Sequence, residues 1–284
     1  MTITRRDFVK SSAGAVIGGA ALGSRSAWAA AGKHPPGIQL YTVRDQLKKD
    51  FEGTLRDVHS AGFVEVEAAG YYDRTAPQFK QAVENAGLHL VSVHHALADL
   101  LQKGDELISY VHELGSSYLI CSAPRAQDPA RKDLTLDDWK WCAGQFNKLG
   151  ERVKAAGMQF GYHNHVHEFE KHEGGIGYDA LLNSTDPKLV TFEMDCGWVA
   201  VGGYQPAEYL NKYPNRISLL HVKDMVNDGS KWHSTILGRG KVDYSAIFAA
   251  AKNVKRYFYE QEEFEGSPTE ALTASAEYLR KSGF

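Results

Sequence analysis

The sequence predicts a (β/α)8 barrel that forms one domain behind an N-terminal export signal. Two observations predict this fold class. From Gly37 onward, short β-type runs alternate with longer amphipathic stretches, and there are eight such runs. Strands that alternate with helices at this spacing indicate parallel βαβ units, and eight units close a barrel. The length behind the signal, about 255 residues, is typical of this architecture.

The eight strands are predicted from short runs rich in β-branched and aromatic residues. In chain order they are 37–43, 63–68, 88–94, 117–122, 158–163, 189–194, 217–222 and 256–261. The helical patterns between and after them are 50–61, 76–86, 104–114, 136–156, 178–184, 206–213, 244–252 and 268–281. A doubly wound open sheet is the alternative, but it usually has a Gly-rich first turn, and Arg44-Asp45-Gln46 has no glycine.

Glycines separate several of these helices from the strands that follow them. Gly62, Gly87, Gly115 and Gly157 each stand just past a helical pattern and just before a strand. This is the helix stop expected of repeated βα units. No linker or low-complexity tract divides the remaining chain, so residues 30–284 are predicted to form a single domain.

The first 29 residues have the pattern of an export signal. Arg5 and Arg6 precede an uncharged run, 11–24, and a small-residue cleavage site that ends at Ala29. Paired arginines in this setting are typical of a twin-arginine signal, which passes folded proteins to a dedicated translocase. An ordinary secretory signal or a disordered start is the alternative. We expect cleavage after Ala29 and a periplasmic or otherwise exported protein that is not held at the membrane.

Composition and missing motifs exclude several functions. Removal of the signal changes the net charge from −3 to about −6, and no cluster of Lys and Arg with interleaved aromatics is present, so nucleic acid is not an expected partner. The chain has no GKS or GKT, no GxGxxG and no GxSxG motif, which disfavours ATP, nicotinamide and acyl-serine chemistry. The cysteines Cys121, Cys142 and Cys196 are expected to be buried thiols. A homo-oligomer remains possible.

Four polar residues, each at the end of a separate strand, form the strongest candidate site. They are His163, Asp195, His221 and Glu260, on predicted strands five to eight. The carboxyl ends of strands carry the chemistry of such barrels, and consecutive strands share one side of the mouth. Two imidazoles and two carboxylates suit zinc, manganese, iron or cobalt, with magnesium less favoured. The alternative is that these buried groups merely satisfy one another.

Neighbouring residues are candidates for catalysis. Glu260, His163 and Lys223 are predicted to take part in the reaction. His165 lies two positions after His163 and points to the same side of an extended strand. It is therefore either a ligand in place of His163 or a substrate contact.

Further polar residues near the strand ends are candidates for substrate binding. Together with His165 they are Gln39, Glu67, His94, Trp198, Asp224, Arg239 and Glu262. A loop ion pair, packing at the rim and a solvated turn are the alternative interpretations for Asp224, Trp198 and Arg239.

Taken in order, six motifs resemble those of the xylose isomerase-like TIM barrel superfamily, whose members include sugar phosphate isomerases and epimerases. They are GIQLYTVRD at 37–45, VEAAGY at 66–71, GYHNH at 161–165, DCGWV at 195–199, HVKDM at 221–225 and YEQE at 259–262. Related ketose 3-epimerases and inosose-processing enzymes hold a divalent metal with a Glu, an Asp, a His and a second Glu. The resemblance implies that Asp195, His221 and Glu260 are three of these ligands. His163 stands where the first Glu is expected.

This departure bears on the reaction. The epimerases use their two carboxylates on opposite faces of the substrate, whereas a metal-bound His cannot easily move a proton. A one-base reaction through a metal-stabilised enediolate is therefore favoured, either 1,2-isomerisation or β-elimination next to a keto group. We expect an isomerase/epimerase-type enzyme that acts on an unphosphorylated sugar, inositol or keto-sugar. The alternatives are a metal-dependent 3-keto-glycoside lyase or hydrolase, and a non-catalytic exported sugar-binding protein.

Overall fold

Eight parallel strands close the barrel in the computed structural model, which describes residues 34–283. The strands are β1 (Gly37–Gln39), β2 (Glu65–Ala68), β3 (His89–Ala96), β4 (Tyr118–Ala123), β5 (Gln159–His163), β6 (Val190–Asp195), β7 (Ile217–Val222) and β8 (Arg256–Tyr259). Each strand pairs in parallel with its neighbours, and β1 pairs with β8 to complete the circle. The predicted fold class is thus confirmed.

Helices surround the barrel and connect successive strands. They are α1 (Arg44–Lys49), α2 (Phe51–Ser60), α3 (Ala76–Asn85), α4 (Leu97–Leu114), α5 (Leu136–Ala155), α6 (Gly177–Ser184), α7 (Cys196–Val201), α8 (Pro206–Lys212), α9 (Tyr244–Ala250) and α10 (Pro268–Ser282). Gly62, Gly87, Gly115 and Gly157 all have positive φ, as predicted for helix stops. Two short hairpins lie in the loops at the mouth, Lys171–His172 with Gly175–Ile176, and Asp224–Asn227 with Trp232–Thr235.

The apolar residues of the strands divide into two groups because alternate side chains point to opposite faces of a strand. Leu220 and Tyr257 belong to the large core between the strands and the helices. Leu219 and Phe258, each one residue away, belong to a separate group inside the barrel. The members of this apolar layer are Val91, Ile120, Leu219 and Phe258. The barrel is therefore packed below its mouth, as is usual for this fold.

Several predicted boundaries were wrong for physical reasons. The first strand ends at Gln39, not at 43, because the Gln39 side chain accepts a hydrogen bond from the Tyr41 backbone N–H and starts a 3-10 turn over Leu40–Val43. Helix α4 begins at Leu97, not at 104, and a kink at Lys103 divides its pattern. Helices α1 and α7 were not predicted.

The cysteines are buried and free, as predicted. Within 34–283, no helix is both long and apolar enough to cross a membrane. The predicted export signal over residues 1–29 lies outside the described residues.

Candidate metal centre and mouth cavity

The candidate site lies two residues further along the strands than the apolar layer. Leu219 on β7 is followed by His221, and Phe258 on β8 is followed by Glu260 just past the strand. Because a strand has a period of two, these side chains point in the same inward direction. The rings of Phe258 and His221 are in contact, with centroids 6.3 Å apart. The ionisable residues thus form the next row above the apolar layer.

The four residues predicted as metal ligands meet in this row. We call them the metal cluster: His163, Asp195, His221 and Glu260. One donor atom of each lies within 4.8 Å of the others, and all four residues are buried. Asp195 and His221 are partners in the register of β6 and β7. His221 Nδ1 lies 2.9 Å from Glu260 Oε2 and 4.0 Å from Asp195 Oδ2.

The metal cluster fits a divalent cation. Asp195 Oδ2 lies 3.1 Å from Lys223 Nζ and His163 Nδ1 lies 3.3 Å from Glu193 Oε2, but neither buried atom makes a hydrogen bond of acceptable geometry. Such atoms are costly inside a protein unless a further group satisfies them. Two imidazole nitrogens and two carboxylates are the donor set preferred by zinc and by manganese, iron or cobalt. The residues present therefore suit the metal that the sequence predicted.

Lys223 lies against the metal cluster as a buried cation. Its Nζ is 3.1 Å from Asp195 Oδ2, 2.9 Å from Glu260 Oε2 and 2.6 Å from Glu262 Oε1. Burial alone lowers the pKa of Lys223, but the surrounding carboxylates raise it above its usual value. Burial also raises the pKa of Glu260, but the charges of Lys223 and His221 outweigh it and hold this pKa well below its usual value.

Three more ionisable residues form an inner network beneath the metal cluster: Glu67, His94 and Glu193. His94 Nε2 lies 2.9 Å from Glu67 Oε1 and 2.7 Å from Glu193 Oε2. Burial lowers the pKa of His94, but the two carboxylates reverse the effect and raise it to about 9. His94 is therefore cationic at neutral pH and offsets part of the negative charge of the network.

Two other imidazoles of the site, those of His163 and His165, are neutral at pH 7, whereas that of His94 is charged. Burial and the charge of His221 lower the pKa of His163 well below its usual value, so its ring is neutral and its lone pair is available to a metal. Burial and the charge of Lys223 lower the pKa of His165 to about 3. His165 packs against His163, with ring centroids 4.8 Å apart.

A cavity of about 510 Å³ opens above these residues, and we call it the mouth cavity. This volume is within the range usual for small-molecule sites. On the β5–β8 side its wall is ionisable and includes His163, His165, Glu260 and Glu262. On the β1–β4 side the wall is mostly uncharged, with Asp99 as its one carboxylate among the residues that line the cavity there. That uncharged wall includes Gln39, Tyr41, Tyr71, His95 and Ser122.

The structure brings some predicted substrate-binding residues to the mouth cavity and places others elsewhere. Gln39, His94, His165 and Glu262 line it. Glu67 is fully buried in the inner network and does not line the cavity.

Three predicted substrate-binding residues that follow the barrel strands also lie outside the mouth cavity. Asp224 is buried and accepts hydrogen bonds from the backbone N–H groups of Gly238, Gly240 and Val242, so it organises that loop. Arg239 lines a different surface cavity. Trp198 stacks behind Lys223, whose Nζ is 5.0 Å from its ring centre. The sequence alone did not show which way these residues face.

Sequence reasoning assigned no role to three residues of the site. Glu193 is two positions before Asp195 on the same strand, and the period of two would have placed it inside the barrel. Tyr71 and His95 line the mouth cavity, and the Tyr71 hydroxyl lies 2.7 Å from His95 Nε2. Burial lowers the pKa of His95 to about 4 and raises that of Tyr71, so both groups are neutral at pH 7.

A larger groove, of about 860 Å³, lies on the surface and is lined by residues of α2, α3 and the loop before α3. It contains neither the metal cluster nor the second grouping in the described part of the chain that could hold a metal, which is His94, His163, Glu193 and His221. Chemistry, not size, therefore identifies the mouth cavity as the candidate site.

The fold and the site define a (β/α)8 barrel with an ionisable centre at the carboxyl ends of its strands. The family model for the xylose isomerase-like TIM barrel matches residues 55–282. The chain belongs to this family.

Known proteins agree with this assignment. An inosose dehydratase of Clostridium beijerinckii is 25% identical over 274 residues, which cover 82% of this chain and 90% of the relative. A sugar phosphate isomerase/epimerase of Parabacteroides distasonis has a crystal structure that superposes with a TM-score of 0.73 at 28% identity, covering 87% of this chain and 94% of the other. The IOLI protein, whose structure holds a zinc atom, superposes with a TM-score of 0.68 at 11% identity, covering 88% of this chain and 99% of the other, and shares the fold.

Proposed function

We propose that the protein is a divalent-metal-dependent enzyme that removes a proton from the carbon next to the carbonyl of an unphosphorylated keto-sugar or keto-inositol. One observation carries the proposal: the metal cluster adjoins the mouth cavity beside a carboxylate outside the cluster, Glu262. One relative is an inosose dehydratase, and this similarity supports a substrate of the same class.

The metal would be held by His163, Asp195, His221 and Glu260. When bound, a divalent ion supplies positive charge that stabilises negative charge on neighbouring carbonyl and hydroxyl oxygens of a substrate. Zinc, manganese, cobalt and iron match the mixed donor set better than magnesium.

Glu262 takes the proton. Glu260 is committed to the metal cluster, whereas Glu262 lines the mouth cavity with its side chain 29% exposed. Lys223 Nζ donates to Glu262 Oε1 at 2.6 Å and fixes the direction of the carboxylate. A carboxylate oriented within reach of a C–H bond acidified by a carbonyl is suited to act as a general base.

Tyr71 and His95 supply a proton on the opposite wall. Their hydroxyl–imidazole pair is neutral and lines the mouth cavity. In a β-elimination, the electron pair left on the α-carbon forms a C=C bond as the β C–O bond breaks. The leaving oxygen then takes a proton from the pair and departs as water or an alcohol. A neutral donor opposite a carboxylate base is therefore the arrangement that elimination needs.

Isomerisation is the second candidate. It begins with the same proton removal, but no C–O bond breaks. The proton returns to the former carbonyl carbon, and a second proton moves from the neighbouring hydroxyl oxygen, which becomes the carbonyl, to the former carbonyl oxygen. The similarity to the Parabacteroides distasonis isomerase/epimerase supports it.

A phosphorylated substrate is disfavoured by the cavity wall. No Lys or Arg is among the described residues that line the mouth cavity, whereas Asp99, Glu260 and Glu262 are. A phosphate dianion would meet three carboxylates and one cationic side chain, the imidazole of His94, whose charge is already shared by Glu67 and Glu193. We also propose that the protein acts outside the cytoplasm, on the pattern of its first 29 residues.

The test is incubation of metal-loaded protein in D2O with 2-keto-inositol and with a 3-keto-glucoside. Elimination gives an absorbing enone and a released water or alcohol, whereas isomerisation gives deuterium exchange without an enone. Glu262→Gln should slow either process by about 10²- to 10⁴-fold, the usual contribution of a general base. Glu263→Gln, one residue away and not lining the mouth cavity, is the matched control. Failure of the wild type both to form an enone and to exchange deuterium with either keto-sugar would exclude the proposed chemistry.

A further inference from the structure

The imidazole of His221 has carboxylates on both of its nitrogens. On one side, Nδ1 faces Glu260 Oε2 at 2.9 Å within the metal cluster. On the other side, Nε2 lies 2.6 Å from Glu67 Oε1 and 3.2 Å from Glu193 Oε2 in the inner network. With a metal on one of its nitrogens, the His221 imidazole would be neutral and would carry its single proton on the other nitrogen. Nδ1 and Nε2 of His221 therefore have different roles.

The Glu67 carboxylate is firmly anchored beneath His221. Gln39 Nε2 donates to Glu67 Oε1 at 2.8 Å, and Gln39 and Glu67 are partners in the register of β1 and β2. The side chain of Glu67 is fully buried. Since Glu67 does not line the mouth cavity, any influence on the reaction passes through the residues that it contacts.

We propose that Glu67 is a positioning residue that holds the proton of His221 on Nε2, so that the Nδ1 lone pair faces the metal. The inference depends on the proposed function only in that the metal cluster binds a divalent ion. A carboxylate that accepts the outer N–H of a metal-bound His fixes the tautomer, orients the ring and increases its basicity. The predicted role of Glu67 in substrate binding is replaced by this one.

The first test is metal affinity. Glu67→Gln keeps the size and an accepting oxygen but removes the negative charge. Loss of such an outer partner usually costs 10- to 100-fold in metal affinity. Glu65→Gln is the matched control, since Glu65 is on the same strand but pairs with Arg256, at 3.0 Å, and not with His221. Chelator competition with Zn²⁺ on the full chain should show a 10- to 100-fold weaker Kd for Glu67→Gln and less than about a twofold change for Glu65→Gln.

The second test observes the tautomer and the metal environment by spectroscopy. In the Zn²⁺-loaded wild type, ¹⁵N–¹H correlation of the His221 ring should show a protonated Nε2 and a metal-shifted Nδ1. Co²⁺-loaded Glu67→Gln should also show an altered ligand-field absorption spectrum. A metal-shifted Nε2, or unchanged affinity and spectrum in Glu67→Gln, would overturn the inference while leaving the metal site intact. Failure of the wild type to bind stoichiometric metal would instead overturn the metal site and this inference together.

Discussion

Two rows of side chains inside the barrel, separated by only two residues along each strand, differ completely in chemistry. Leu219 and Phe258 belong to the apolar layer, and His221 and Glu260 stand directly above them in the metal cluster. Both rows are buried, so exposure does not explain the difference. The lower row gains free energy from burial, whereas the upper row holds ionised groups away from water at a cost. The lower row therefore stabilises the fold, and the cost of the upper row supports the role that the proposed function gives it.

The largest expected effect is on the upper row. Asp195→Asn keeps the cap of α7, because an Asn side chain can also accept the hydrogen bond from the Trp198 N–H. It removes one carboxylate from the metal cluster. We expect loss of stoichiometric metal, measured by elemental analysis, and a fall in the deuterium-exchange rate of about 10³-fold, corresponding to several kcal/mol of lost charge stabilisation. The unfolding free energy of the metal-free protein should change little. Full metal content in this variant would contradict the metal-binding role proposed for the upper row.

The next effect is on the lower row. Phe258→Ala should reduce the free energy of unfolding by about 3–5 kcal/mol, because it removes a fully buried ring and leaves a cavity. Urea denaturation of the metal-free protein measures this loss. Leu101→Ala is the control, since Leu101 is 38% exposed and should change stability by about 0.5 kcal/mol or less. Equal losses in the two variants would mean that the apolar layer does not carry the stability assigned to it.

The smallest effect concerns a carboxylate on the same strand as Glu67 but in a different setting. Burial raises the pKa of Glu65, and the charge of Arg256 only partly offsets this. A raised pKa in the folded state means that stability is lost as pH rises through the unfolded and then the folded pKa. Above that pH range, the free energy of unfolding of Glu65→Gln should differ from that of the wild type by less than about 1 kcal/mol. The variant loses the ion pair with Arg256, but it also loses the cost of ionising a buried carboxyl group, and the two effects oppose each other. Unfolding measured from pH 4 to pH 7 should show the wild type losing stability relative to the variant. A relative gain with rising pH would show that the Arg256 pair dominates.

The sequence predicted the barrel and the metal cluster because both depend on local periodicity. Strand ends and the period of two are readable from one chain, and they placed His163, Asp195, His221 and Glu260 on adjacent strands. The inner network was predicted only in part. Glu193 was omitted because only residues at the ends of strands were considered, and it lies two residues before the end of β6, at the next inward-facing position.

Loop residues were predicted less well because their direction depends on distant contacts. Asp224 turns toward the backbone of residues 238–242, which are more than ten positions away. Tyr71 reaches His95 across 24 positions of sequence. Such pairings follow from how loops pack on the finished barrel, and no periodic pattern encodes them.

The unequal walls of the mouth cavity bear on how such an enzyme can diversify. Residues that hold the metal cluster are confined to β5–β8, whereas Tyr71, His95 and Ser122 follow or end β2–β4. Substitutions on the β2–β4 side can change which ring or substituent is accepted without moving a metal ligand. Selection for a new substrate therefore has positions, such as Ser122, that are separate from the residues proposed to hold the metal. Libraries that vary the β2–β4 loops should preserve metal binding more often than libraries of equal size on β5–β8.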